Sequence, residues 1–262
     1  RARNNLAAID QVTGAATNWN PNPNSSVHSI SVDGETVYIA GGFTTVGGTA
    51  RNRLAAVETS TGLLKSWNAN ITSNTVSNVA AGESYVYING TFGALAGQNR
   101  RGLAALDKIT AAPVAWNPDP ESLQGTVPIM GALVVDGSSV FVGGDFSSIG
   151  GIRRAMMAAI DVNTGRATAW NSGQSFSLSF TVNALATNAS SVFDGDSYGV
   201  VARDLGSGAI QWDVDGLGGV FAIAFDGPRV YVGGGFTQLE SSAINRLAAL
   251  DAASGTVGVV PS

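Results

Sequence analysis

Three stretches of this chain have residue types and spacings suited to chemistry. Gly195-Asp-Ser197-Tyr-Gly199 fits the G-x-S-x-G pattern, in which a serine on a sharp turn attacks a carbonyl with a histidine as its base. That mechanism needs a strand-to-helix turn and an imidazole, and His28 is the only histidine. Asp194-Gly-Asp196 and Asp213-Val-Asp215 each begin like a calcium loop, but neither is followed by the bidentate acid that would complete one. No metal site and no cofactor are therefore expected. A glycosidase needs two carboxylates about 5 to 10 Å apart across a cleft, and candidate acids exist but cannot be paired by spacing alone. Neither lysine, Lys65 nor Lys108, follows the glycine pattern of a phosphate-binding loop.

Composition narrows the partners. The chain has 262 residues and a net charge of −5, with only 13% charged residues and no cysteine. Its acids and arginines are spread along the length, so no basic patch marks a nucleic-acid or anionic-lipid surface. Without cysteine there is no disulfide framework, thiolate metal site or thiol nucleophile. No apolar run reaches the ~18 residues of a membrane helix, so membrane insertion is not expected. The first residues, Arg1-Ala-Arg-Asn-Asn, lack an apolar signal core and begin inside a repeat, which reads as a segment of a longer protein.

The elements that must hold these groups repeat. An acid closing an LAAID-like segment recurs as Asp10, Glu58, Asp107, Asp161, Asp204 and Asp251, and a tryptophan follows the first five as Trp19, Trp67, Trp116, Trp170 and Trp212. The spacing from acid to tryptophan is nine residues in four copies and eight in the copy that starts at Asp204. Each copy alternates apolar and polar residues with period two between turn residues, and nowhere shows a sustained 3.6 period. In the first full copy the strands are expected at 27–32, 36–40, 54–57 and 63–67, with Asp33-Gly34 as a hairpin turn. A four-stranded unit repeated every 45 or so residues is the signature of propeller blades. The fold is therefore expected to be an all-β propeller of four-stranded antiparallel blades in one domain, residues 1–262. Five blades are complete, and one half blade of two strands (residues 6–19) leaves a ring of five or six positions. Large residues on one face of each first strand (Ile30, Val32) and small ones on the other (Ser29, Ser31) fit blade-on-blade stacking.

The run L-A-A-[IVL]-[DE]-x-x-T-G with its tryptophan, preceded by V-Y-[IV]-x-G-G-F-T, resembles the repeats of bacterial delta-60-type propeller proteins. That resemblance implies a secreted or cell-surface propeller with no activity assigned to the repeat. Ala8-Ile-Asp10-Gln-Val-Thr-Gly14 with Trp19 is also similar to the tryptophan-docking motif of quinoprotein dehydrogenases, except that the tryptophan lies one residue later. This second resemblance implies similar docking between blades.

Features present in register in every blade are most simply scaffold: the tryptophans, the acid turns, and Arg3, Arg51, Arg100 and Arg154, read as packing or as blade-to-blade ion pairs. Function is then sought where the repeat breaks. From the second-strand glycine to the third-strand acid the separation is 17 residues in four copies, but 9 from Gly195 to Asp204. The connections after Trp116 and Trp170 are longer than the others. All three irregularities are expected at the same end of the strands. They would open a notch bordered by Asp119, Glu121, Gln124, Gln174, Phe176, Phe180, Asp194, Asp196 and Tyr198. Aromatic and amide groups beside carboxylates suit a polypeptide or a sugar. The chain is therefore expected to be a non-enzymatic, extracellular or cell-surface module that binds a protein or glycan on that face, or serves as a structural spacer. The alternatives are a carbohydrate-binding propeller and, behind it, a glycoside-active or quinone-dependent enzyme.

Overall fold

The computed structural model describes residues 2–71, 75–174, 182–216, 218–240 and 242–258, and among them every regular element is a β-strand. The chain divides into two compact units, Arg1–Asn117 and Pro118–Ser262.

The first unit holds two three-stranded antiparallel sheets. Sheet one is built from β1 (Val27–Asp33), β2 (Thr36–Gly41) and β3 (Leu54–Glu58) in that order. Sheet two is built from β4 (Val76–Ala81), β5 (Tyr85–Gly90) and β6 (Leu103–Asp107). The Asp33-Gly34 turn forms as the sequence predicts, with Asp33 opposite Thr36 and Gly34 at φ +54°. Residues 6–19 add a half unit joined by a single bridge, Ile9 to Ala16, and Leu6 and Trp19 pack on Val37, Ile39, Phe43 and Val57 of sheet one. Sheet one's other face meets sheet two: the Ser29 and Ser31 hydroxyls accept the Val79 and Ala81 amides at 3.1 and 2.9 Å.

The second unit holds three sheets. Sheet three is β7 (Met130–Asp136), β8 (Ser139–Gly144) and β9 (Met157–Asp161). Sheet four is β10 (Ala184–Thr187), β11 (Ser191–Gly195), β12 (Gly199–Asp204) and β13 (Ile210–Asp215). Sheet five is β14 (Val220–Asp226), β15 (Arg229–Gly234), β16 (Leu247–Asp251) and β17 (Val257–Gly258).

The expected fourth strand forms as a strand only in sheets four and five. In the first three sheets it is reduced to one bridge each: Val57 to Leu64, Leu106 to Pro113, and Ile160 to Ala167. In sheets one and three the chain turns early toward the partner of its tryptophan. After two ladder bonds, Glu58 N to Leu63 O and Lys65 N to Ala56 O at 2.8 Å each, the chain leaves sheet one and carries Trp67 onto sheet two. There the indole Nε1 donates to the Asp107 carbonyl at 3.0 Å. Trp19, Trp170 and Trp212 donate in the same way to the carbonyls of Glu58, Asp204 and Ala252 at 2.9, 3.0 and 3.0 Å. These four tryptophans each join their repeat to the following one within the same compact unit.

The arginine series works differently from an ion-pair ladder. Arg51 donates to the Lys65 carbonyl at 3.1 Å, Arg100 to the Val114 carbonyl at 2.8 Å and Arg154 to the Trp170 carbonyl at 3.3 Å. Arg3 donates to the Thr17 and Trp19 carbonyls. Each guanidinium holds the departing outer strand of its own repeat, replacing the ladder bonds lost when that strand peels away. The acid turns are local as well. Asp107 Oδ1 accepts the Ile109 and Thr110 amides at 3.0 and 2.7 Å and the Thr110 hydroxyl at 2.8 Å. Asp10, Asp161, Asp204 and Asp251 bind their turns in the same pattern.

In sheets one, two, three and five the second-strand glycine recurs because the chain entering the blade crosses it. A Cβ at Gly41 would lie 2.1 Å from the Ser26 carbonyl oxygen, and one at Gly90 2.0 Å from that of Thr75.

Candidate functional site

Sheets one, two and three each carry a two-stranded ribbon between their second and third strands: Thr45–Val46 with Thr49–Ala50, Ala94–Leu95 with Gln98–Asn99, and Ser148–Ile149 with Ile152–Arg153. The ribbons bridge to the connection that precedes their own sheet, Pro23 to Val46 and Glu121 to Ser148. Both kinds of loop therefore emerge at the same end of the strands, as the repeat pattern predicts. In sheet four the eight missing residues are the ribbon. Only the turn 196–198 links β11 to β12.

Two consequences follow within sheet four. With no ribbon above it, β13 runs beside β12 as far as Gly199, which pairs with Asp215. The shorter spacing to Trp212 is absorbed by a register shift at Ala202/Arg203. Alternation then buries Trp212 and Val214 on one face and leaves Asp213 and Asp215 exposed on the other, beside the connection after Trp170. A cleft of about 390 Å³ opens there. Asp196, Tyr198 and Gly199 come from the turn, Val201 and Arg203 from β12, Ile210, Asp213 and Asp215 from β13, and Ser172, Gly173 and Gln174 from the connection.

The floor is a buried ion pair. Arg203 Nε donates to Asp194 Oδ1 at 2.7 Å, Nη2 approaches Oδ2 at 3.5 Å, and Nη1 donates to the Ser172 carbonyl at 2.9 Å. Asp194 is fully buried and Arg203 is 2% exposed. Above it, Asp196 Oδ1 accepts the Tyr198 and Gly199 amides at 2.6 and 2.9 Å, closing the turn. Tyr198 itself is 54% exposed.

Protonation separates the cleft acids from the scaffold acids. Burial pushes Asp194 up to about 6, opposed in part by Arg203, and burial also raises Asp196 and Asp213. Hydroxyl and amide hydrogen bonds instead hold Asp10, Asp107, Asp161, Asp204 and Asp251 below the usual carboxylate range. The signs are opposite. The scaffold acids contribute stability above their unfolded value, and it is lost as pH falls through their lower folded values. Asp194 contributes stability below its unfolded value, and it is lost as pH rises through about 6.

The cleft thus offers the carboxylates of Asp196, Asp213 and Asp215 around an exposed phenol ring, over a floor already neutralised by Arg203. It suits cations and hydrogen-bond donors and opposes anions. A carboxylate-bearing quinone does not fit it. The motif residues shared with quinoproteins are engaged with backbone, the tryptophans with carbonyls and the acids with their turns.

Of the residues the repeat pattern singles out, the cleft brings together Gln174, Asp196 and Tyr198, with Asp194 beneath. Asp119, Glu121 and Gln124 do not line it. Glu121 is paired with Ser148 on the ribbon of sheet three, accepting the Ser147 amide at 2.7 Å, and Gln124 is exposed in the neighbouring turn. Phe176 and Phe180 lie outside the described residues. Arg203, Asp213 and Asp215 complete the site without having been singled out for the notch. The Asp-x-Asp spacing of the last two was visible, but their register against β12 was not. Ser197 stands in a hairpin turn between antiparallel strands, without the strand-to-helix geometry of a nucleophile elbow. His28, in the other unit, is exposed at the register shift of β1 and hydrogen-bonded to Ser26 at 3.0 Å.

Comparison with known proteins agrees with this architecture. A family model described as outer membrane protein assembly factor BamB matches residues 3–172. Among solved structures, the computationally designed Ika8 protein is similar with a TM-score of 0.60 at 16% identity, covering 94% of this chain and 64% of that one. The extracellular domain of the hybrid two component system BT4673 from B. thetaiotaomicron gives a TM-score of 0.62 at 12% identity, covering 88% of this chain and 29% of that one. BamB from Moraxella catarrhalis gives 0.52 at 15% identity, covering 93% and 66%. The chain thus spans less than two thirds of each of these three, and at such identities the likeness shows the β-propeller fold. No curated protein matches the sequence significantly.

Proposed function

We propose that this chain, which belongs to the family of outer membrane protein assembly factor BamB, is a non-catalytic binding module of a secreted or cell-surface bacterial protein. Within that family it is of the delta-60 repeat type, and its partner docks at the cleft of sheet four. One observation carries the reading: the blade whose ribbon is missing is also the blade whose outer strand turns two acids toward a cleft. Asp213 and Asp215 stand on the open face of β13, and Tyr198 on the turn above them. Elsewhere the recurring polar groups are engaged with backbone, which is what a scaffold requires. The partner that suits this surface best is a polypeptide segment carrying lysine or arginine, whose cations pair with the carboxylates while its apolar stem lies on Tyr198 and Ile210.

A surface location is supported by the hydroxyl- and amide-rich composition, and by fold likeness to a domain described as extracellular. The non-catalytic reading rests on the hairpin setting of Ser197 and the separate engagement of His28. A sugar is the second reading, favoured by the exposed Tyr198 ring beside hydrogen-bond acceptors.

Binding to a tiled array of basic peptides and to a glycan array tests both. Tyr198→Ala and Asp215→Asn are each expected to weaken the peptide signal about tenfold, ~1.4 kcal/mol, with raised salt weakening it further. A glycan signal lost in the same variants selects the sugar. Binding unchanged by both variants would show that the cleft is not the binding surface.

A further inference from the structure

Two rows of acids cross the cleft side of sheet four. Asp194 of β11 stands opposite Val201 of β12, and Val201 in turn stands opposite Asp213 of β13. One row further toward the turn, the Asp196 amide donates to the Gly199 carbonyl at 3.0 Å, and Gly199 is opposite Asp215. Period two puts these residues on one side of the sheet, and all but Asp194, which lies beneath, line the cleft. The four acids thus form two columns, about 10 Å apart across the strands with positions about 7 Å apart along them. Only Val201 and Gly199 lie between the columns.

One guanidinium serves all four. Arg203 is committed to Asp194 and to the Ser172 carbonyl. Arg154, which reaches the start of the neighbouring connection, gives its guanidinium to the Trp170 and Arg153 carbonyls. From Asn171 to Asn183 that connection carries no acidic or basic side chain. On the sheet five side, Glu240 donates its amide to the Asp215 carbonyl and adds a further acid beside the end of β13. Among the described residues no cation pairs with Asp213 or Asp215. Burial favours the protonated forms of Asp194, Asp196 and Asp213, in Asp194 against the pull of Arg203. Repulsion adds to it, from Asp213 on Asp194 and Asp196 and from Asp215 on Asp213. Gln174 points to a donor as the missing guest, since its side-chain oxygen is buried at the cleft without a hydrogen-bond partner.

We propose that docking here exchanges protons for the partner's cation, so that the cleft holds a basic segment in neutral solution and releases it in mildly acidic solution. The inference rests on the cleft being the docking surface. An entering ammonium or guanidinium stabilises the ionised carboxylates, and the protons they held leave to solvent. Acid reverses the exchange. Protonation of Asp194 acts in the same direction, because it leaves the Arg203 charge uncompensated beneath the guest.

Isothermal titration calorimetry with a capped tetralysine peptide tests this. The peptide stays fully charged between pH 5 and pH 8, so every proton released belongs to the protein. The dissociation constant is expected to rise about tenfold from pH 8 to pH 5. Titrations at pH 6 in buffers of different ionisation enthalpy should show protons released on binding. Asp213→Asn should reduce the rise to about threefold, whereas Glu83→Gln, at an exposed acid of the other unit, should keep the full rise. Equal dissociation constants at pH 5 and pH 8, without proton release, would overturn the inference and leave the docking surface standing. A rise as steep in Asp213→Asn as in the parent would overturn it too, by assigning the effect to net charge. No binding at either pH would overturn the inference together with the reading on which it rests.

Discussion

Arg203→Met is expected to lower the unfolding free energy by about 3–5 kcal/mol at pH 8, the usual consequence of leaving a buried carboxylate without its cation. Asp194 has no access to water that could solvate it, and its hydrogen bonds within the cleft floor come from this one guanidinium. Without Arg203 the Asp194 carboxyl is pushed further above about 6, so the loss should shrink as the pH is lowered toward 6, where the variant already holds the proton and the buried charge is gone. Asp194→Leu combined with Arg203→Met is expected to recover most of the loss. An apolar pair of similar volume needs no compensation, so the coupling in the double-mutant cycle should amount to several kcal/mol. Urea titrations of the two single variants and the double at pH 5 and pH 8 give all of these quantities. Strict additivity at pH 8 would show that the pair does not act as a unit.

The second large effect lies in the scaffold. Trp67 is 6% exposed, lies edge-on to Tyr38 with ring centroids 5.2 Å apart, and donates to the Asp107 carbonyl of the neighbouring sheet. Trp67→Ala removes packing and hydrogen bond together and should cost about 3–5 kcal/mol. Trp67→Phe keeps much of the area and leaves the Asp107 carbonyl short of a donor, a cost of about 1–3 kcal/mol. Chemical denaturation separates the two contributions. If Trp67→Phe were as damaging as Trp67→Ala, the hydrogen bond rather than the packing would be what docks one sheet on the next.

Much of this scaffold is legible in the residues. Period-two alternation locates β1, β2 and β3 to within a residue, and the Asp33-Gly34 turn sets their register. The fate of the outer strand is not legible, because its residues 63–67 have the composition of a strand. In sheet one the strand leaves after two ladder bonds and carries Trp67 to the next sheet, whereas in sheet four β13 stays paired although Trp212 docks in the same way. The arginine series shows a similar limit. Recurrence marks Arg51 and Arg100 as structural, but a guanidinium serves an acid or a carbonyl equally well, and the peeling of the outer strand supplies the carbonyls.

At the site, loop lengths reveal where the repeat breaks but not what borders the break. Glu121 was expected at the notch because its loop is long, yet that loop is drawn onto the ribbon of sheet three by main-chain bonds to Ser147 and Ser148. Asp213 and Asp215 belong to the site because deleting a ribbon frees β13 to extend. That is a consequence of the deletion for a different strand, and spacing within the deleted loop does not show it.

We propose the cleft of sheet four, created by the missing ribbon, as the binding surface of a chain that is otherwise scaffold. The most direct measurement restores the ribbon. Replacing residues 196–198 by the sequence of residues 145–155 returns sheet four to the common repeat length and covers the cleft. The grafted protein should keep its β-sheet circular dichroism and its cooperative melting transition, and lose the peptide or glycan binding of the parent on the same arrays. A folded graft that binds as well as the parent would contradict the claim.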